Sequence, residues 1–184
     1  YTSPDRSSLL EQFQSHTIKE ICDAVWKDLT IERLPEIPNF TLLVGWTGEV
    51  AITDSLIQAT EKKRKVETDT AFYKEFLAKS HAIVQGIQSA WNKQDIPALQ
   101  EGIRANRALL NEFAQVMQLD IETPALQTLC DLAEQNGACA KTSGAGGGDC
   151  GICFTQNETQ RQQIETQWAK AQIQVLPLTI AEAW

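Results

Sequence analysis

The sequence predicts an α+β domain, in which a sheet of about four strands has helices packed on one face. Short apolar runs typical of strands are few, and segments with helical spacing of their apolar residues separate them. The composition, with 42% hydrophobic and 22% charged residues over 184 positions, is that of a soluble globular domain. Because no repeat or low-complexity linker divides the chain, we expect residues 1–184 to form one domain.

The predicted helices follow from apolar residues at helical spacing and from capping residues. They cover residues 7–28, 53–64, 69–92, 96–117, 124–136 and 158–171. The 124–136 helix has the clearest boundaries, since Thr123 suits the N-cap, Pro124 the first helical position and Gly137 a left-handed C-cap. For the 53–64 helix the main signal is Thr53 as a capping residue.

The candidate strands are residues 30–34, 40–46, 138–141, 150–154 and 173–180. The 40–46 segment is the strongest, because it is a continuous apolar run that is too short for a helix. Residues 30–34 alternate only weakly before Pro35 and Pro38 break the pattern. The helices predicted between these strands give the α+β layout.

The net charge of −8 argues against nucleic acid as a partner, since phosphate backbones are bound by basic surfaces. The basic run at residues 62–65 fits a solvated helix end better than a phosphate site. With no apolar run of about 18 residues and no signal peptide, we expect no membrane partner. Since the chain starts at Tyr1 and its single methionine is Met117, we expect a fragment, a processed product or an incomplete chain.

The five cysteines, at residues 22, 130, 139, 150 and 153, are odd in number and show no disulfide pattern. Cys150 and Cys153 match C-x-x-C, but their flanks indicate a strand, which would direct the two thiols to opposite faces. We interpret them as buried structural thiols in a reducing cytoplasm and predict no metal site. His16 and His81 have no partner pattern for a triad or a metal.

Four glycines lie within six residues at 143–148, between two predicted strands. An ordinary turn needs one or two glycines, whereas backbone that lies close to another group needs more. Successive amides of such a loop can converge on a phosphate, with the Ser143 hydroxyl and the Lys141 charge nearby. The alternative is a flexible or tightly packed strand connection. If phosphate binds here, Gly147→Val should abolish activity with little loss of folding.

One polar position interrupts the apolar stripe of the 96–117 helix. The spacing requires an apolar residue at position 106, which is Asn106, and Arg107 lies next to it. Either Asn106 is a hydrogen-bonded core group and Arg107 a surface ion pair, or this part of the helix faces a cleft. In the second case, Arg107 could bind a substrate phosphate or carboxylate through two hydrogen bonds.

Several segments resemble the GHMP kinases, and among these the bacterial phosphomevalonate kinases. The string KTSGAGGGDCG at residues 141–151 resembles the third, glycine-rich motif of the family. Similar segments are LLVGWT at 42–47, IRANRALL at 103–110, IETP at 121–124 and, with Pro4 replacing an aromatic residue, YTSPD at 1–5. The resemblance covers almost the whole chain, but two other family motifs, one of them the ATP loop, are not in it.

The resemblance implies a ferredoxin-like C-terminal domain with an antiparallel sheet. It implies an enzyme that transfers the γ-phosphoryl group of ATP to 5-phosphomevalonate with Mg²⁺, in the cytoplasm, on the mevalonate route to isoprenoids. The N-terminal half of such an enzyme would be a missing partner, so we expect no activity from this chain alone. A homodimer is a further expectation. The alternatives are mevalonate or homoserine kinase, or a non-catalytic binding domain that kept the fold.

The resemblance also implies a role for the glycine-rich segment in binding the substrate phosphate. For Asp149 we expect a role in loop structure rather than in holding a metal, and we assign no catalytic residue. The candidate phosphate-binding residues are Lys141, Ser143, Gly144, Ala145, Gly146, Gly147, Gly148, Asp149, Arg107 and Asn106.

Overall fold

The computed structural model describes residues 6–24, 32–49, 70–144 and 146–178. They fall into two compact units, Tyr1–Pro35 and Glu36–Trp184. Several predictions lie outside the described residues. These are the 53–64 helix with the basic run at 62–65, the YTSPD segment, Ala145, and parts of the predicted elements at 7–28, 30–34 and 173–180.

The first unit contains two short helices, α1 (Arg6–Ser15) and α2 (Ile18–Asp23), where the sequence predicts one helix over 7–28. The prediction of a single helix is wrong because Thr17 acts as an N-cap. Its hydroxyl accepts a hydrogen bond from the Glu20 amide, and the Glu20 carboxylate accepts one from the Thr17 amide. This reciprocal pair forms a capping box, which starts a new helix at Ile18.

The second unit contains a four-stranded antiparallel sheet. Its strands are β1 (Thr41–Trp46), β2 (Cys139–Thr142), β3 (Cys150–Thr155) and β4 (Gln174–Val175). The strands lie in the order β2-β3-β1-β4, and β1 pairs with β3 along its full length. The sheet that the sequence predicts is therefore confirmed, and its strand order is that of a ferredoxin-like fold.

Helices lie in the connections from β1 to β2 and from β3 to β4. They are α3 (Thr70–Lys93), α4 (Ile96–Met117), α5 (Pro124–Gln135) and α6 (Glu158–Lys170). The boundaries of α4 and α5 agree with the sequence prediction. The Thr123 hydroxyl accepts a hydrogen bond from the Leu126 amide at the start of α5, and Gly137 follows the helix with a φ of +75°.

One face of the sheet packs against α5 and α6. Gly45 of β1 and Gly151 of β3 lie opposite each other in the register. A Cβ at Gly45 would come within 2.8 Å of both Leu129 and Trp168, and one at Gly151 within 2.6 Å of Leu129. The two glycines thus give Leu129 and Trp168 direct contact with the strand backbone, and both side chains are fully buried.

The other face of the sheet is covered at one end by α3 and α4. There Phe154 of β3 stacks on Phe40 with ring centroids 5.0 Å apart and meets the edge of Trp91 at 5.8 Å. Cys139 of β2 is buried in the same cluster. Towards the other end of the strands, Val44 and Ile152 on this face are only partly buried. The glycine-rich loop leaves the sheet at that less covered end.

Two strand predictions differ from the structure. Residues 32–34, the described part of the predicted 30–34 strand, have no strand conformation. The last strand is limited to Gln174–Val175, although the Leu176 amide still donates to the Val44 carbonyl. The chain then turns, because the Leu178 amide, which would be the next donor of the ladder, donates to the Leu176 carbonyl instead. None of the described helices is both long and apolar enough to cross a bilayer.

Candidate functional site

The glycine-rich loop connects β2 and β3, as the sequence predicts. The last strand pair is Thr142 opposite Gly151, and the Ser143 amide donates to the Cys150 carbonyl at 2.9 Å to close the base of the loop. All four loop glycines have positive φ, from +69° at Gly144 to +121° at Gly148. Side chains disfavour this left-handed region, so the backbone conformation alone accounts for part of the glycine content.

One side of the loop is fixed to the segment that precedes α5. The Gly147 amide donates to the Ile121 carbonyl at 2.8 Å. A Cβ at Gly146 would collide with that same carbonyl, and would also come within 2.7 Å of the Ile121 side chain. Gly146 is therefore required by the approach of the chain to itself, before any ligand is considered.

The exit of the loop is fixed to the segment that follows β1. The Asp149 amide donates to the Glu49 carbonyl at 2.9 Å, and the Asp149 carbonyl accepts from the Thr47 amide at 2.8 Å and the Thr47 hydroxyl at 2.9 Å. Asp149 has a φ of +62° and an exposed side chain. Its backbone thus has the contacts expected of a residue that orients the loop.

Three loop amides remain without a protein acceptor among the described residues. They belong to Gly144, Gly146 and Gly148, while those of Ser143, Gly147 and Asp149 are bonded to carbonyls. A Cβ at Gly144 would meet no atom within 4 Å, so this part of the loop borders open space. A loop with an anchored backbone and available amides is suited to bind an anion.

Lys141 lies two residues before the loop, on the less covered face of the sheet. Its Nζ donates to the neighbouring Thr142 carbonyl at 2.8 Å. Removal of this half-buried amine from water lowers the pKa of Lys141 below its usual value. The amine of Lys141 thus lies near the base of the loop, where its hydrogen bond to the Thr142 carbonyl holds it.

Arg107 of α4 lies in a partly buried group of charges with residues of α5 and of the segment that precedes α5. Its Nε and Nη2 donate to the two carboxylate oxygens of Glu122 at 2.9 and 2.6 Å, and Nη2 also donates to Asp131 at 2.8 Å. The hydrogen bonds to Glu122 raise the pKa of Arg107 further above its usual value, against the effect of burial. The structure therefore gives Arg107 two carboxylate partners, which its Nε and Nη2 contact. Asn106 beside it is half-buried.

The cysteines agree in part with the sequence prediction. Cys153 of β3 is fully buried under the α5–α6 layer, whereas Cys150 lies on the opposite face and is only half-buried. Burial raises the pKa of Cys130 and Cys139 to about 12 and also raises that of Cys153, which makes these thiols inert. Among the described residues, no group of three acidic, cysteine or histidine side chains could hold a metal.

The contacts that anchor the loop were not found from the sequence. They come from the Ile121 carbonyl, the Glu49 carbonyl, and the amide and hydroxyl of Thr47, so three of these four groups belong to the backbone. The pattern of side chains in a sequence does not indicate which backbone carbonyl accepts a hydrogen bond from a distant loop. The available signal was the presence of two anchoring residues in segments that resemble the family, since Thr47 is the last residue of LLVGWT and Ile121 the first of IETP.

Comparisons with known proteins identify the family. The family model described as GHMP kinases C terminal matches residues 83–174, which is half of the chain. The chain is also 36% identical over 183 residues to the phosphomevalonate kinase of Streptomyces sp. strain CL190, covering 98% of this chain and 48% of the relative. It belongs to the GHMP kinase family, of which it carries the C-terminal domain.

Solved structures support the same assignment. A crystal structure of the Lin0012 protein from Listeria innocua matches with a TM-score of 0.88 at 32% identity, over 96% of this chain and 49% of that one. Streptococcus pneumoniae phosphomevalonate kinase, in complex with phosphomevalonate and AMPPNP, matches with a TM-score of 0.79 at 26% identity, over 95% and 49%. The chain thus spans about half the length of the relatives it matches.

Proposed function

We propose that this chain forms the substrate-phosphate side of a phosphomevalonate kinase. The observation that carries the proposal is the anchored loop at residues 143–149, whose Gly144, Gly146 and Gly148 amides have no acceptor among the described residues. The Streptomyces relative and the pneumococcal structure, both named phosphomevalonate kinase, support the choice of substrate. The N-terminal half that such an enzyme needs would contribute the ATP loop.

In the proposed reaction, a terminal phosphate oxygen of 5-phosphomevalonate attacks the γ-phosphorus of ATP. A new P–O bond forms, the bond to the β-phosphate oxygen breaks, and ADP and 5-diphosphomevalonate result. Two polyanions must approach each other, so most of the catalysis is positioning and stabilisation of charge. The loop amides, including that of Ala145, and the Ser143 hydroxyl would donate to the substrate phosphate, while Lys141 would add positive charge.

The described residues suit a phosphate better than they suit a metal held by protein ligands. ATP would supply the phosphoryl group, and Mg²⁺ would neutralise its phosphates. Mg²⁺ in such sites is bound mainly by phosphate oxygens and water, with one or two carboxylates. Asp149 and Glu49 are the exposed carboxylates at the loop exit. We propose a loop-orienting role for Asp149, in agreement with its backbone contacts.

A coupled assay of ADP release tests the proposal. The gene product that contains this chain is incubated with ATP, Mg²⁺ and one acceptor at a time: 5-phosphomevalonate, mevalonate or homoserine. We expect turnover with 5-phosphomevalonate and none above background with the others. The 184-residue chain alone should be inactive, and clear turnover by it would contradict that part of the proposal.

The other outcomes distinguish the alternatives. Turnover with mevalonate or homoserine but not with 5-phosphomevalonate would identify another kinase of the family. A gene product without activity towards any acceptor, but with affinity for one of them by calorimetry, would indicate a binding domain that kept the fold. Gel filtration of the same sample tests the predicted homodimer, and fractionation of cells tests the cytoplasmic location.

A further inference from the structure

The segment that anchors the loop, Ile121 to Thr123, is fixed at every residue by a different interaction. Ile121 is 8% exposed and packs with Phe113 and Ala114 of α4, while its carbonyl accepts from the Gly147 amide. Thr123 is buried and caps α5. The segment therefore joins two helices to the glycine-rich loop.

Glu122, between these two residues, is the charged contact of the segment. Its carboxylate accepts two hydrogen bonds from Arg107 and one from the Asn111 amide group at 3.2 Å, and its side chain is only 7% exposed. A rotation of residue 122 would leave a buried charge and its donors without partners, which is costly. The peptide plane that carries the Ile121 carbonyl includes the Glu122 nitrogen, so the ion pair restrains the orientation of that carbonyl.

We propose that Arg107 and Glu122 are positioning residues for the glycine-rich loop. They hold the Ile121 carbonyl at the Gly147 amide, and this hydrogen bond sets where the available loop amides point. The proposal replaces direct contact between Arg107 and the substrate by an indirect action through Glu122. The expected effect on catalysis rests on the proposed function, whereas the expected effect on the hydrogen bond between Gly147 and Ile121 does not.

The chain offers a matched control in Arg104 and Glu134. Arg104 lies one turn before Arg107 on α4, and its Nε donates to the Glu134 carboxylate of α5 at 2.7 Å. Its Nη2 donates to the Ala138 carbonyl at 3.1 Å, at the start of β2 rather than at the loop anchor. Glu134→Gln and Glu122→Gln therefore each weaken one ion pair with an arginine of α4, but only Glu122 lies next to Ile121.

Residue-resolved amide hydrogen exchange on the gene product that contains this chain tests the structural part. We expect Glu122→Gln to accelerate exchange at Gly147 by about tenfold, because loss of restraint on one hydrogen bond has an effect of that order. Glu134→Gln should change exchange at Gly147 by less than about threefold. Equal acceleration in both variants, or none in Glu122→Gln, would overturn the proposal.

Arg107→Lys distinguishes positioning from direct contact, since lysine keeps the charge but not the two-pronged geometry. Positioning predicts faster exchange at Gly147, together with a lower kcat/KM for 5-phosphomevalonate. Wild-type exchange at Gly147 with a raised KM would show direct contact and contradict the proposal. If the unmodified gene product has no kinase activity, the proposed function fails, while the exchange rates still decide the role of the ion pair.

Discussion

The glycines of the sheet and those of the loop serve different purposes. Gly45 and Gly151 lie in extended strands, where their missing side chains let Leu129 and Trp168 contact the backbone. Gly144 and Gly148 have positive φ and belong to a loop with available amides. Glycine content alone therefore does not indicate a ligand site, whereas positive φ, open space and amides without acceptors together favour one.

A second difference lies inside the loop itself. The Ile121 carbonyl leaves no room for a side chain at Gly146, whereas nothing in the described structure lies within 4 Å of a Cβ at Gly144. A substitution in the open part of the loop, at Gly144, can therefore test ligand binding without first damaging the fold. Gly147, with a φ of +80° and its amide bonded to Ile121, is a poor choice for that purpose.

The largest expected effect concerns the sheet glycines. Gly45→Ala should reduce the free energy of unfolding by about 3 kcal/mol, because the new methyl group would come within 2.8 Å of Leu129 and Trp168. Gly86→Ala is the matched control, since Gly86 lies within α3 with nothing within 4 Å of its Cβ position. It should raise the free energy of unfolding by about 0.5–1 kcal/mol. Urea titrations in which both variants change stability in the same direction would contradict this packing account.

A smaller effect is expected from Lys141, and it depends on pH. Burial lowers the pKa of Lys141 in the folded chain, so the folded state binds its proton less tightly than the unfolded state does. The penalty is fully present below the folded-state pKa and disappears as pH rises towards the unfolded value of 10.5. Lys141→Met should remove this dependence.

Urea titrations of wild type and Lys141→Met over a series of pH values measure the effect. The difference in unfolding free energy between the two proteins should shift in favour of the wild type as pH rises through this window, because other groups titrate alike in both. A difference that is constant from pH 7 to about 10.5 would show that the folded chain does not perturb Lys141.

Much of the fold could be predicted from local sequence patterns. The apolar stripe of α4 and the Thr123-Pro124 start of α5 gave boundaries that agree with the structure. The same reasoning failed in the first unit, where the Thr17 capping box starts a new helix, and at the last strand, where the Leu178 amide donates to the Leu176 carbonyl instead of to β1. In both places local hydrogen bonds, rather than the spacing of apolar residues, determine where the element begins or ends.

The candidate site was less predictable, because its contacts join distant parts of the chain. The position of the glycine-rich loop between two strands was predicted, but Glu122 and Asp131 lie 15 and 24 residues from Arg107 and meet it only in the tertiary structure. The expectation that Gly147→Val would leave folding almost unchanged also neglected the bond to Ile121. Such contacts depend on tertiary structure rather than on local spacing.

The most direct test of the loop as a phosphate site compares Gly144→Ala with Gly137→Ala in the coupled ADP-release assay. Both glycines have positive φ, +69° and +75°, and an added Cβ would come no closer than 3.5 Å to another group, so the strain of each substitution is similar. Gly144 lies in the loop, whereas Gly137 follows α5 at the other end of β2. We predict that Gly144→Ala lowers kcat/KM for 5-phosphomevalonate by at least about tenfold, while Gly137→Ala stays within about threefold of wild type. Equal losses in the two variants, or wild-type kcat/KM in Gly144→Ala, would contradict the assignment of the loop to phosphate binding.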